Sequence, residues 1–161
     1  MSMAIKKGNC NDKPQPPSHN ALLLFCGQGV SALFKKPNDP PLNIGFVAVD
    51  ATGLRKPLAK IKFSSIVNLS GLAANPQALL TFKLFRACEE QSPLLLNRWI
   101  YEVNRISDNN IMLRFDTSFN FIFCDRLICP RCCDYFIEAS VENLVNATVF
   151  VNNVQVQALA Q

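Results

Sequence analysis

The chain has 161 residues, 49% hydrophobic and 17% charged, with a formal net charge of +4, so it can bury one sizeable core as a single domain. Its basic residues are spread from Lys6, Lys7 and Lys13 through Lys35 and Lys36 to Lys56, Lys60 and Lys62, without the aromatic-interleaved clusters that follow a phosphate backbone, which excludes nucleic acid as an expected partner. No run approaches the roughly 18 to 20 apolar residues of a membrane-spanning helix, so a soluble chain with no membrane partner is expected.

Residues 1–20 hold Asn9, Asn11, Asp12, Pro14, Gln15, Pro16, Pro17 and Ser18 and almost nothing to bury, so they are expected to form an extended, polyproline-like arm. At about 3.1 Å per residue the arm reaches on the order of 60 Å, enough to touch a neighbouring molecule. It carries Cys10 and the single histidine, His19. Its charges are not followed by the apolar segment of a signal peptide, so export by that route is not expected.

Beyond the arm, twelve Phe with abundant Val, Ile, Leu and Thr against six Gly favour strands. Strands are expected near 21–26, 30–35, 43–50, 59–69, 78–88, 95–104, 110–115, 118–124, 134–141, 145–151 and 154–160. Ile61, Phe63, Ser65, Val67 and Leu69 alternate with Lys62, Ser64 and Asn68, and Phe119, Phe121 and Phe123 keep the same period of two. Ser92-Pro93 ahead of Leu96, Trp99, Ile100, Val103 and Ile106 fits a capped amphipathic helix as well as a strand, and periodicity leaves residues 92–106 open. Near the end, the alternations around Val149 and Val156 flank Asn152-Asn153, which reads as a hairpin turn because Asn tolerates positive φ. The expected fold is all-β: an antiparallel two-sheet sandwich over residues 21–161, with a jelly roll as its form.

Seven cysteines, at 10, 26, 88, 124, 129, 132 and 133, imply either metal binding or an oxidising environment. Cys124, Cys129 and Cys132 reproduce a C-x4-C-x2-C iron–sulfur spacing, but no downstream cysteine supplies the fourth ligand, and no close second pair completes a zinc site. Disulfides are the stronger reading. Cys129-Pro-Arg-Cys132 lies between strand-like runs rather than opening a helix, so it lacks the dipole that activates a redox thiol. His19 sits on the arm, Glu89-Glu90 reads as a solvated turn, and no phosphate-binding loop or H-E-x-x-H run is present. No enzyme activity, cofactor or metal is therefore expected. Asn68 and Asn146 open glycosylation sequons that read as chance matches, and Trp99 and Tyr101 read as core before they read as a ligand face.

Cys26-Gly27, Lys62-Phe63-Ser64-Ser65, Leu84-Phe85-Arg86-Ala87-Cys88, Ser118-Phe119-Asn120-Phe121, Cys129-Pro-Arg-Cys132-Cys133-Asp134-Tyr135-Phe136 and the terminal Ala158-Leu159-Ala160-Gln161 resemble a cysteine-rich family of spore-forming, clostridial-type bacteria. That resemblance covers residues 21 to 161 and implies no particular activity. By plan, an arm bearing a cysteine ahead of a sandwich, the chain also resembles the jelly-roll subunits of bacterial endospore appendages. This second resemblance implies synthesis in the mother cell without a signal peptide, oxidation at the extracellular spore surface, and a strand at 95–104.

The expected function is accordingly a structural subunit that assembles with itself, head to tail, into a disulfide-stabilised filament, with a lectin-like spore-coat binding module as the alternative. Cys10, on an arm with nothing to hold it against its own core, is expected to join molecules, and Cys26, Cys124, Cys129, Cys132 and Cys133 are the remaining disulfide candidates. In a polar stack each bond type uses two cysteines per subunit, so seven leave at least one free, and Cys88, after the apolar Leu80, Phe82 and Leu84, is the expected free thiol. Cys132 and Cys133 are expected to have different partners, because adjacent residues of an extended chain face opposite ways.

Overall fold

Alternation of apolar and polar residues becomes alternation of buried and exposed side chains along ten strands. The structure, a computed structural model, describes residues 22–71, 74–89, 91–104, 113–128 and 131–161. The strands are β1 (Leu23–Cys26), β2 (Gln28–Gly29), β3 (Ala32–Phe34), β4 (Leu42–Asp50), β5 (Leu58–Gly71), β6 (Gln77–Cys88), β7 (Leu94–Asn104), β8 (Leu113–Arg126), β9 (Cys132–Val145) and β10 (Ala147–Ala160). No helix occurs among the described residues, and hence none long and apolar enough to cross a membrane.

Two antiparallel sheets pack as a sandwich. The first has the order β1-β10-β5-β8, with β3 also on β10, and the second the order β2-β4-β9-β6-β7. This order fits a jelly roll, in which the chain passes repeatedly from one sheet to the other. The inward faces fill one core: Ile61, Phe63 and Leu69 of β5 and Val149, Val151 and Ala158 of β10 meet Leu80, Phe82 and Leu84 of β6 and Tyr135 and Ile137 of β9. Aromatic rings continue that core to one flank, where Trp99 stacks on Phe121 at 3.7 Å between centroids and Phe119 stacks on Phe82 at 4.2 Å. Trp99 and Tyr101 are therefore packed against the core, and the open segment at 92–106 contains strand β7.

Two boundaries differ from expectation. Residues 110–112 of the expected run 110–115 lie outside the described residues, and its remainder and the run 118–124 belong to one strand, β8, because the polar break at Asp116 is an outward position whose carboxylate accepts a hydrogen bond from Asn68 Nδ2 on β5. The expected hairpin at Asn152-Asn153 is instead a bulge within the continuous strand β10, between Asn152 and Gln155 opposite β5. Asn153 does take a positive φ, of 48°, but it spends it on the extra residue of the bulge. That insertion moves the buried set from odd positions, Val149 and Val151, to even ones, Val156, Ala158 and Ala160. The sharp reversal falls at Asn146, with φ of 52°, between β9 and β10.

The flank formed by β10 and β4 is closed by residues 22–34, which weave from β1 on the first sheet to β2 on the second and back to β3. Gly27 donates to Val156 O at 2.8 Å and Val30 to Ile44 O at 2.9 Å, and a Cβ at Gly29 would collide with Val154 O. Glycine is required because the segment threads between two backbones.

Candidate functional site at the cysteine-bearing end and the open flank

β6 and β9 run antiparallel with Cys88 directly opposite Cys133, both at inward positions. Glu89 N donates to Cys132 O at 3.3 Å, which makes the next pair the hydrogen-bonded one and leaves Cys88 and Cys133 at the narrow site where opposed Cβ atoms come closest. They form a disulfide across a sequence separation of 45. Cys88 is thus not the free thiol: the alternation that buries it also aims it at Cys133, a register that residue spacing does not reveal. Cys132 is disulfide-bonded too, and its partner is not Cys133, in keeping with the opposite facing of neighbours on β9. Cys26 on β1 and Cys124 on β8 are free and exposed. Cys10, Cys129 and His19 lie outside the described residues, as does Glu90, whereas Glu89 is exposed with φ of 53°.

Beside the disulfide, a charged triad ties the two sheets together. Arg86 on β6 donates from Nη1 to both carboxylate oxygens of Asp125 on β8, at 2.9 and 2.8 Å, and Tyr135 OH on β9 donates to Asp125 Oδ2 at 2.8 Å. Burial, reinforced by the hydrogen bond to Asp125, pushes the Tyr135 phenol far above its ordinary value, so it remains a neutral donor. Residue types alone did not mark this triad. The available signal was a charge at an inward position on each of two alternating strands, Arg86 and Asp125, close to the cysteines.

A shallow concavity of about 200 Å³ opens next to the triad, lined by Arg86, Cys88, Gln91, Leu127, Ile128 and Arg131. It is smaller than the roughly 300 to 1,000 Å³ of ordinary ligand pockets. Among the described residues no three His, Cys, Asp or Glu side chains are grouped to hold a metal ion. Asn68, the first sequon residue, is buried and bonded to Asp116 and to Asn152, which leaves no free amide for a glycan.

The opposite flank is open. β8 is the edge of the first sheet and β7 the edge of the second, 14 and 11 residues long. β8 pairs with β5 over its whole length without a register shift, and among the described residues no strand pairs with its other side. On the outer surface of the second sheet, Phe46, Phe136, Phe85 and Leu95 stand in one cross-strand row over β4, β9, β6 and β7, with Phe85 and Phe136 stacked at 5.2 Å.

Residues 20–161 match the model of a family described as "Domain of unknown function (DUF4489)", and the chain belongs to that family. No curated protein matches it. Among solved structures it is similar to a chain of the "Structure of infectious bursal disease virus Gx strain", at 8% identity and a TM-score of 0.42 over 88% of this chain and 32% of that one. The chain thus spans about a third of that protein's length.

Proposed function

We propose that this member of the DUF4489 family is a structural subunit that assembles with copies of itself, head to tail, into an extracellular, disulfide-stabilised filament of the endospore-appendage kind. The observation that carries the reading is the asymmetry of the flanks among the described residues: residues 22–34 cover one, while β7 and β8 leave two long edges without strand partners on the other. Natural sandwiches blunt such edges with bulges, prolines or short strands. β8 carries charges at Arg114, Asp116, Asp125 and Arg126 but has neither bulge nor proline over 14 residues, so a strand from another molecule can complement it. A contact that does not close on itself repeats into a helical fibre.

Other features agree. The Phe46, Phe136, Phe85 and Leu95 row offers apolar area for a second contact between subunits. The Cys88–Cys133 disulfide suits an oxidising exterior, in line with the resemblance to proteins of spore formers. Electron microscopy of the purified, air-oxidised full chain tests the proposal: it predicts ordered fibres of uniform width. A field of dispersed particles at every concentration would leave the lectin-like alternative in its place.

A further inference from the structure

The two free thiols among the described residues occupy opposite edges of the same sheet. Cys26 lies on β1, the edge strand on one side of the first sheet, and Cys124 on β8, the edge strand on the other. Both point to the outer face, since their neighbours Phe25 and Asp125 turn inward. Three strand spacings of about 4.8 Å, roughly 14 Å in all, separate the two edges, twice the reach of a disulfide. Within one molecule the pair cannot close.

Between molecules it can. All three pairings across the sheet are antiparallel, so β1 and β8 run in opposite directions, and a copy translated along the sheet lays its β1 antiparallel against β8. The two thiols also stand at nearly the same level. Cys26 shares a row with Gln157, Lys62 and Ile122, and the adjacent row on the same face runs through Leu24, Leu159, Lys60 and Cys124. A slip of two residues, about 6.8 Å, brings the thiols opposite each other, and an even step keeps both faces aligned. The same register sets Leu22 of one copy, 65% exposed, against Ile128 of the other, 98% exposed, and Leu23 against Leu127. Among the described residues these edges hold the most exposed large apolar side chains, and this one register covers them together.

We infer that β1 of one copy pairs antiparallel with β8 of the next, and that Cys26 and Cys124 close an intermolecular disulfide across this joint. The inference rests on the head-to-tail reading above and names its joint. Each bond forms from two thiols with loss of two protons and two electrons, which dissolved oxygen takes up as hydrogen peroxide. Because residues of different number are joined, the stack is polar.

The test uses full-length chain, half of it labelled with heavy nitrogen, co-assembled in air, digested without reductant and analysed by mass spectrometry. The expected result is a Cys26–Cys124 linked peptide carrying both isotopes in one pair. Cys26→Ser alone and Cys124→Ser alone should each abolish it, and mixing the two variants should restore it as a covalent dimer. Fibres that lack this peptide would overturn the joint while leaving the filament reading intact, and Cys26–Cys26 or Cys124–Cys124 peptides would replace it with a two-fold contact. Monomers at every concentration, with both thiols open to alkylation, would overturn the joint and the filament reading together.

Discussion

Replacing the Cys88–Cys133 pair by Ala isolates the brace between β6 and β9. The bond closes a loop with a sequence separation of 45, so the chain-entropy relation gives about 13 cal/mol/K, or about 4 kcal/mol at 25 °C, of stability carried through the unfolded state. For a sandwich of this size, with unfolding entropy near 2 cal/mol/K per residue, that corresponds to a loss of about 12 to 15 °C in Tm. The double variant Cys88→Ala/Cys133→Ala should remain folded, because both positions lie in long, fully paired strands and lose only a small buried side chain each. Thermal unfolding of the unassembled protein, followed by far-ultraviolet circular dichroism, measures the difference. A shift under about 3 °C would refute the reasoning, since it would mean that the oxidised unfolded chain gains no restriction from the bond.

Asp125→Ala should cost about 3 kcal/mol in urea unfolding, because it leaves the Arg86 charge and the Tyr135 hydroxyl without their partner, while Arg86→Met/Asp125→Leu should recover most of it; equal losses in both variants would contradict this. Tyr135 binds its proton more tightly folded than unfolded, so stability should fall as pH rises above about 10, where the unfolded phenol ionises and the folded one does not. Tyr135→Phe should cost about 1 kcal/mol at neutral pH and flatten that alkaline loss, and an unchanged slope would show that another group governs it. Gly29→Ala should destabilise by about 1 to 3 kcal/mol and expose residues 22–34 to limited proteolysis, because its Cβ meets the Val154 carbonyl; a wild-type digestion pattern would show that the seam yields.

Strand content and inward faces were legible because period-two alternation is local: Ile61 to Leu69 and Phe119 to Phe123 read directly as half-buried strands. Residues whose role depends on register were not. Asn152-Asn153 carries the same left-handed signal whether it turns a hairpin or inserts a bulge, and only the parity change from Val151 to Val156 separates the two. Cys88 looks like a small buried hydrophobe until β9 is laid beside β6 and Cys133 appears opposite. The Arg86, Asp125 and Tyr135 triad spans three strands and 50 positions of sequence, so no local pattern announces it. The open flank is likewise a property of strand order, because β7 and β8 become edges only through pairings made elsewhere.

The central claim is that copies of this chain join end to end through disulfides, and electrophoresis of the assembled protein in denaturant, with and without thiol, tests it most directly. The account predicts a ladder of integral multiples of 17.9 kDa that collapses to a single band on reduction. A single monomer band in both lanes, from material that forms fibres, would contradict it.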